Sequence, residues 1–150
     1  MTEIRFYHME RQGIEQVLPS LLMKALENGH RILVKAPDEP EAERLNEILW
    51  TFRPDIFLPH GTKKDGHSDR QPIFLTSTND NPNNADVLIL TGGTESDSIA
   101  DFKLCCELLD GRDGEQIEQA RARWKKYKDE GHTLTYWQQG EKSWEKKNSA

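Results

Sequence analysis

Between residues 121 and 128, five cations (Arg121, Arg123, Lys125, Lys126 and Lys128) occur with no acid among them. Two large aromatics, Trp124 and Tyr127, stand inside the same run. Cations interleaved with rings suit an acidic ligand. Guanidinium and ammonium donors take carboxylates or phosphates, and the rings take an apolar side chain or a base. On a helix, at roughly 100° per residue, Arg121, Trp124, Lys125 and Lys128 share one face. Ile117, Ala120, Trp124 and Tyr127 line the neighbouring face, which packs inward. Trp124 therefore stands at the boundary. The ordinary reading of such a run is a solvated basic face. Here the like charges repel at a small standing cost, which an acidic ligand offsets. The chain as a whole carries a net charge of −6, which argues against DNA binding over its general surface.

A second group combines Leu49-Trp50 with Phe57-Leu58-Pro59-His60. Large aromatics here flank an irregular, proline-marked segment. They either cap the core or form an exposed patch, and aromatics dominate interface anchors. Other candidates read more plainly. Gly92-Gly93 follows a buried strand and could cradle a phosphate, but no G-x-G-x-x-G or G-K-[ST] accompanies it. A tight strand exit is the simpler account. The histidines at 8, 30, 60, 67 and 132 lack ligand spacing, so no metal site is expected. Cys105 and Cys106 are adjacent, which is unsuited to an ordinary disulfide and fits a reducing compartment. On a strand they point to opposite faces. No serine lies in a nucleophile-elbow context. No catalytic residue and no cofactor is expected.

The elements that position these residues follow from periodicity. EIRFYH reads as a first strand. Ile14, Val17, Leu18, Leu21, Leu22, Ala25 and Leu26 line one face of a helix that Asn28-Gly29 ends. Pro19 either kinks that helix or marks its first turn. RILVKA, an unbroken apolar run, suits a strand buried on both faces. Asp38 with Glu41 forms a D-x-x-E start for a helix running to Trp50. IFLT, DVLILT and KLCCELL read as further strands, the helix over 115–130 follows, and HTLTYW is extended. Strand, helix, buried strand, helix is the signature of an α/β fold with a mostly parallel sheet flanked by helices. One domain is expected over 1–137, followed by a flexible polar tail over 138–150, where apolar periodicity is missing. The N-terminus shows no signal peptide, and no stretch approaches the roughly 20 apolar residues that span a bilayer. A soluble, cytoplasmic protein without membrane contact is expected.

RFYH, ILVKAPDEPEAERLNEILW, FLPHG, ADVLILTGG and ARARWKKYKDEGHTLTYW, in that order, resemble the chi subunit family of bacterial DNA polymerase III holoenzyme. The resemblance extends to about Trp137, and the R-x-R-[WY]-x-x-Y-[KR]-x-x-G core is its most specific piece. It implies a Rossmann-like fold without nucleotide chemistry, in an accessory subunit rather than an enzyme. It implies that the clamp-loader assembly is tied to single-stranded-DNA-binding protein through that protein's acidic, phenylalanine-ending C-terminal tail, so that DNA is contacted only indirectly. Arg121, Trp124, Lys125 and Lys128 fall where the family's tail-binding residues lie. Trp50, Phe57, Pro59 and His60 fall where the family meets its psi subunit or, in some members, a repair helicase. Two other readings stay open: a direct single-stranded nucleic-acid binder using the basic helix, and a small α/β enzyme using the Gly92-Gly93 loop.

Overall fold

The computed structural model describes residues 2–52, 58–141 and 143–150. In chain order the elements are β1 (Glu3–Met9), α1 (Ile14–Glu27), β2 (Ile32–Lys35), α2 (Glu39–Thr51), β3 (His60–Gly61), β4 (Ile73–Thr76), β5 (Val87–Leu90), β6 (Leu104–Asp110), α3 (Gly114–Asp129), β7 (Thr133–Gln139) and β8 (Trp144–Ser149). The strands form one sheet in the order β3-β4-β2-β5-β6-β1-β7-β8. Every pairing is parallel except β7 with β8. The chain is thus a single α/β domain of the Rossmann-like type expected.

Alternation along the strands divides the core into two layers. Tyr7, Met9, Ile32, Val34, Ile73, Leu75, Val87, Ile89, Cys106 and Leu108 face α1 and α2. Ile4, Phe6, Leu33, Phe74, Leu88, Leu90, Cys105, Leu109 and Leu134 face the other way, in one cluster with Ala120 and Tyr127 of α3 and with Ala85, Ile99 and Phe102 of the connections around β5. The central strands are buried on both sides, which is why they read as continuous apolar runs.

Local signals act as their chemistry requires. Asp38 Oδ1 accepts the Glu41 N–H at 2.9 Å and caps α2. Asp113 Oδ1 accepts the Glu115 N–H at 3.0 Å and caps α3. Pro19 is buried in the second turn of α1, within the helix rather than at its start. Gly92 and Gly93 both take positive φ, 62° and 78°, at the exit of β5. A Cβ on Gly92 would meet the Pro37 ring at 2.7 Å, so this exit is packed against the end of β2.

The largest difference from expectation lies at the C-terminal end. The segment read as a polar tail instead completes β7 and forms β8, the antiparallel edge of the sheet. Its side chains lack periodicity because they are mostly solvated, while the β7 backbone supplies the pairing partners. Trp144 anchors it, edge-on to Tyr7 with ring centroids 5.1 Å apart. Backbone bonds between Leu134 and Ala150, at 2.9 and 3.0 Å, close its far end.

Gly111 ends β6 in close contact with β1. A Cβ there would lie 2.3 Å from the His8 ring and 2.6 Å from the Met9 carbonyl oxygen. Backbone cannot yield as a flexible side chain can. Gly111→Ala is therefore expected to cost about 1–3 kcal/mol, read as a lowered midpoint in urea denaturation.

Candidate functional site

Four elements, α3, β1, β7 and β8, build a groove on the α3 side of the sheet. β1 and β7 run side by side, with Phe6 opposite Tyr136 and His8 opposite Gln138. Alternation sends these side chains toward α3. The Phe6 and Tyr136 rings stack at 6.1 Å, and Trp124 of α3 packs 5.5 Å from Phe6 and edge-on to Tyr136 at 6.2 Å. His8 Nδ1 and the Tyr136 hydroxyl are hydrogen bonded at 2.6 Å. Above this aromatic floor is an open cavity of about 450 Å³, lined by Ile117, Ala120, Arg121 and Trp124 from α3 and by His8, Tyr136, Gln138 and Asn148 from the sheet. Burial pushes the Tyr136 hydroxyl pKa up, and Arg121 nearby opposes that rise.

The basic helix divides in two. Arg121, Lys125, Lys126 and Lys128 are exposed, and Trp124 is half-buried. Arg121 lies on the cavity wall, 3.5 Å from Glu118 in an exposed i,i+3 pair. Lys125 and Lys128 continue the same face one turn beyond the cavity lining. Arg123, counted from sequence with the exposed cations, is instead buried at 4% exposure. Its Nε donates to Glu107 Oε1 at 2.6 Å beneath the helix. A signal for this was present. Arg123 shares the Ala120–Tyr127 stripe, and Glu107 occupies a core position between Cys105 and Leu109 on β6. A buried carboxylate in such a run demands a buried cation.

The second expected group is only partly assembled. Trp50 is 53% exposed, the one large apolar side chain so exposed among the described residues. Its ring lies 4.7 Å from that of His60. His60 itself is buried, one ring nitrogen against the Leu58 carbonyl oxygen and the other 3.3 Å from that of Asn46. It therefore supports the tryptophan from below and pins the loop to α2, so its place on an exposed patch is corrected. Pro59 is half-buried. Phe57 lies outside the described residues.

The remaining candidates are structural. Cys105 and Cys106 are free and buried on opposite faces of β6. Burial raises both thiol pKa values, that of Cys106 to about 12. Among the described residues, no three His, Cys, Asp or Glu side chains are arranged to hold a metal. The backbone N–H groups of Glu10, Arg11 and Gln12 converge on Gln139 Oε1 at 3.1, 2.8 and 2.9 Å. That anion-type nest is filled internally, tying the β1–α1 loop to β7.

The buried pair yields the first test of this site. Removing one partner leaves an uncompensated charge, so Glu107→Ala or Arg123→Ala is expected to cost about 3–5 kcal/mol. Glu107→Leu combined with Arg123→Met should recover most of that loss. Burial lifts the Glu107 carboxyl from 4.5 to about 7, against the opposing pull of Arg123 and Tyr127. Between those values the folded chain holds a proton that the unfolded chain has released. The group's contribution is therefore full at low pH and is lost as pH rises through about 7. Glu107→Gln cannot ionise, so its stability should fall less than the parent's between about pH 5 and pH 8 in urea denaturation.

Comparison with known proteins agrees with the fold and the motif order. Residues 1–135 match the family described as DNA polymerase III chi subunit, HolC. The chain is 31% identical over 103 residues to the probable DNA polymerase III subunit chi of Rickettsia prowazekii, a match covering 69% of this chain and 62% of that one. It is 25% identical over 123 residues to the DNA polymerase III subunit chi of Escherichia coli, covering 81% and 83%. It is 26% identical over 138 residues to the Pseudomonas aeruginosa subunit chi, covering 89% and 94%. With nearly its whole length matched, this chain belongs to the DNA polymerase III chi subunit family.

Proposed function

We propose that this chain is a non-catalytic accessory subunit of bacterial DNA polymerase III holoenzyme, acting in the cytoplasm during DNA replication. It links the clamp-loader complex to single-stranded-DNA-binding protein by holding that protein's acidic C-terminal tail. The observation that carries this reading is the groove beside α3. Exposed Arg121 edges an aromatic floor of Trp124 and Tyr136, and exposed Lys125 and Lys128 extend the same helix face beyond it, on a chain of net charge −6. Cations at the rim take the tail's carboxylates, and the floor takes its terminal phenyl ring. The tail's free carboxylate pairs with Arg121 or Lys125. An incoming carboxylate displaces Glu118 from Arg121 at little cost, because that pair is exposed. Tail binding brings DNA close without direct contact. The Trp50 surface, with Pro59 beside it, takes the psi subunit or another holoenzyme or helicase partner.

Among the described residues, no helix is long and apolar enough to cross a membrane.

The test is calorimetric titration with a synthetic peptide of consecutive aspartates, an apolar pair and a C-terminal phenylalanine. Exposed ion pairs contribute about 0.2–1 kcal/mol each. Affinity is therefore expected near roughly micromolar, or about −8 kcal/mol, weakening as salt screens the rim. Arg121→Glu should bind more weakly than Arg121→Ala, since reversal adds repulsion. Removing the peptide's phenylalanine should cost more than neutralising one aspartate. Tighter binding to oligo-dT than to the peptide would favour the nucleic-acid reading. Nucleotide hydrolysis lost on Gly93→Val would favour the enzyme reading. Parent-like binding by folded Arg121→Glu and Trp124→Ala chains would reduce the basic helix to a solvated face.

A separate measurement addresses the far surface. Truncating an interface aromatic commonly costs about 2 kcal/mol or more. Trp50→Ala should thus weaken recovery of the psi subunit or another holoenzyme partner in a pull-down while leaving peptide affinity unchanged. Full recovery with the folded variant would rule the surface out.

A further inference from the structure

The groove has two walls of different chemistry. The α3 wall carries its cations, Arg121 within the cavity and Lys125 and Lys128 beyond it. The opposite wall bears amides, Gln138 of β7 and Asn148 of β8, and Gln138 Nε2 donates to the Glu10 carboxylate at 2.6 Å. β8 lies beyond the residues matched to the family, which end at 135.

The β8 register is what brings Asn148 there. Trp137 opposes Lys146, yet Tyr136 opposes Asn148, so Lys147 is an extra residue in the ladder. A regular ladder would set Lys147 against Tyr136. The bulge moves it out of register, and its ammonium turns to Glu145 at 3.0 Å. Lys146 opposes Trp137, which packs on the α1–α2 side. Asn148 is the β8 side chain that offers the groove a carboxamide, while Glu145 opposes Gln138 on the same face of the sheet and holds Lys147.

That carboxamide is half used. Asn148 Oδ1 accepts the Ser149 N–H at 2.9 Å. This orients the group and leaves its two Nδ2 hydrogens without a hydrogen-bond partner among the described residues. An ammonium or guanidinium answers the charge of a peptide side chain. An amide donor can also answer a main-chain carbonyl, which fixes the register of an extended chain.

We propose that β8 is the second wall of the tail receptor and that Asn148 donates to the bound acidic peptide, making it a specificity-determining contact. The proposal rests on the reading of this groove as a peptide receptor. It favours an extended peptide over single-stranded nucleic acid, because an amide donor matches a main-chain carbonyl, which a sugar-phosphate backbone lacks.

Asn148→Asp tests it in the full-length chain. The change is nearly isosteric, and an aspartate still accepts the Ser149 N–H, so the strand end keeps its bond. It replaces a donor with a negative charge facing an acidic ligand. Titration with the aspartate-rich, phenylalanine-ending peptide is expected to show about a tenfold or greater loss for Asn148→Asp and about threefold for Asn148→Ala. Ser149→Asp adds the same charge one residue along, on the other face of the strand, and should change affinity less than about threefold. A parent chain that binds the peptide beside an Asn148→Asp chain that binds it equally well overturns the β8 assignment alone. A parent chain that does not bind overturns both readings. Equal losses for Asn148→Asp and Ser149→Asp would mean that only net charge matters, and would also overturn the contact.

Discussion

The ion pair between Arg123 and Glu107 sets how α3 lies on the sheet. A helix held only by apolar packing can settle in several rotations about its axis. A guanidinium donating at 2.6 Å to a carboxylate on β6, both nearly inaccessible to water, admits one. Once that rotation is set, Ala120 and Tyr127 face the core, Trp124 sits at the boundary, and Arg121, Lys125 and Lys128 face outward. A buried pair of this kind is weak evidence for stability, since its desolvation opposes its attraction. Here the pair selects which face the helix presents. The receptor surface is thus oriented by a contact that a ligand never touches.

The other face of the sheet serves a different end of the molecule. α1 and α2 cover it with aliphatic side chains, and α2 carries Trp50 out at its C-terminal end. His60, pinned to backbone carbonyls, holds the indole from beneath. The basic groove and the exposed tryptophan are built from different helices on opposite layers of the domain. Two partners engaged at these places would not compete for the same residues. That suits a subunit proposed to join two assemblies.

Much of this was legible in the sequence because its signals are local. The cap at Asp38, alternation in the strands and the 3.6-residue stripe of α3 report which way a side chain points relative to its own element. They do not report what lies across from it. Arg123 was grouped with the exposed cations because its charge was read within the helix, without the carboxylate waiting on β6. His60 reads as part of a surface because it closes the irregular, proline-marked segment that follows Trp50, a setting that does not reveal its own burial. β8 escaped notice for a different reason. An edge strand with solvated side chains needs no apolar pattern when a neighbouring strand supplies its hydrogen bonds. Asn148 reaches the groove through a register shift, which depends on two strands at once and is written in neither.

The adjacent cysteines have a use that follows from where they lie. β6 is flanked by β5 and β1, with Cys105 under α3 and Cys106 under the α1–α2 layer. A thiol reagent reaches one only if α3 lifts away, and the other only if the opposite layer parts. They are the chain's only two cysteines, so no background labelling obscures them. Mass increments after timed exposure would count how often each side of the sheet breathes. One strand thereby carries a pair of independent clocks, each reading the opening of its own layer.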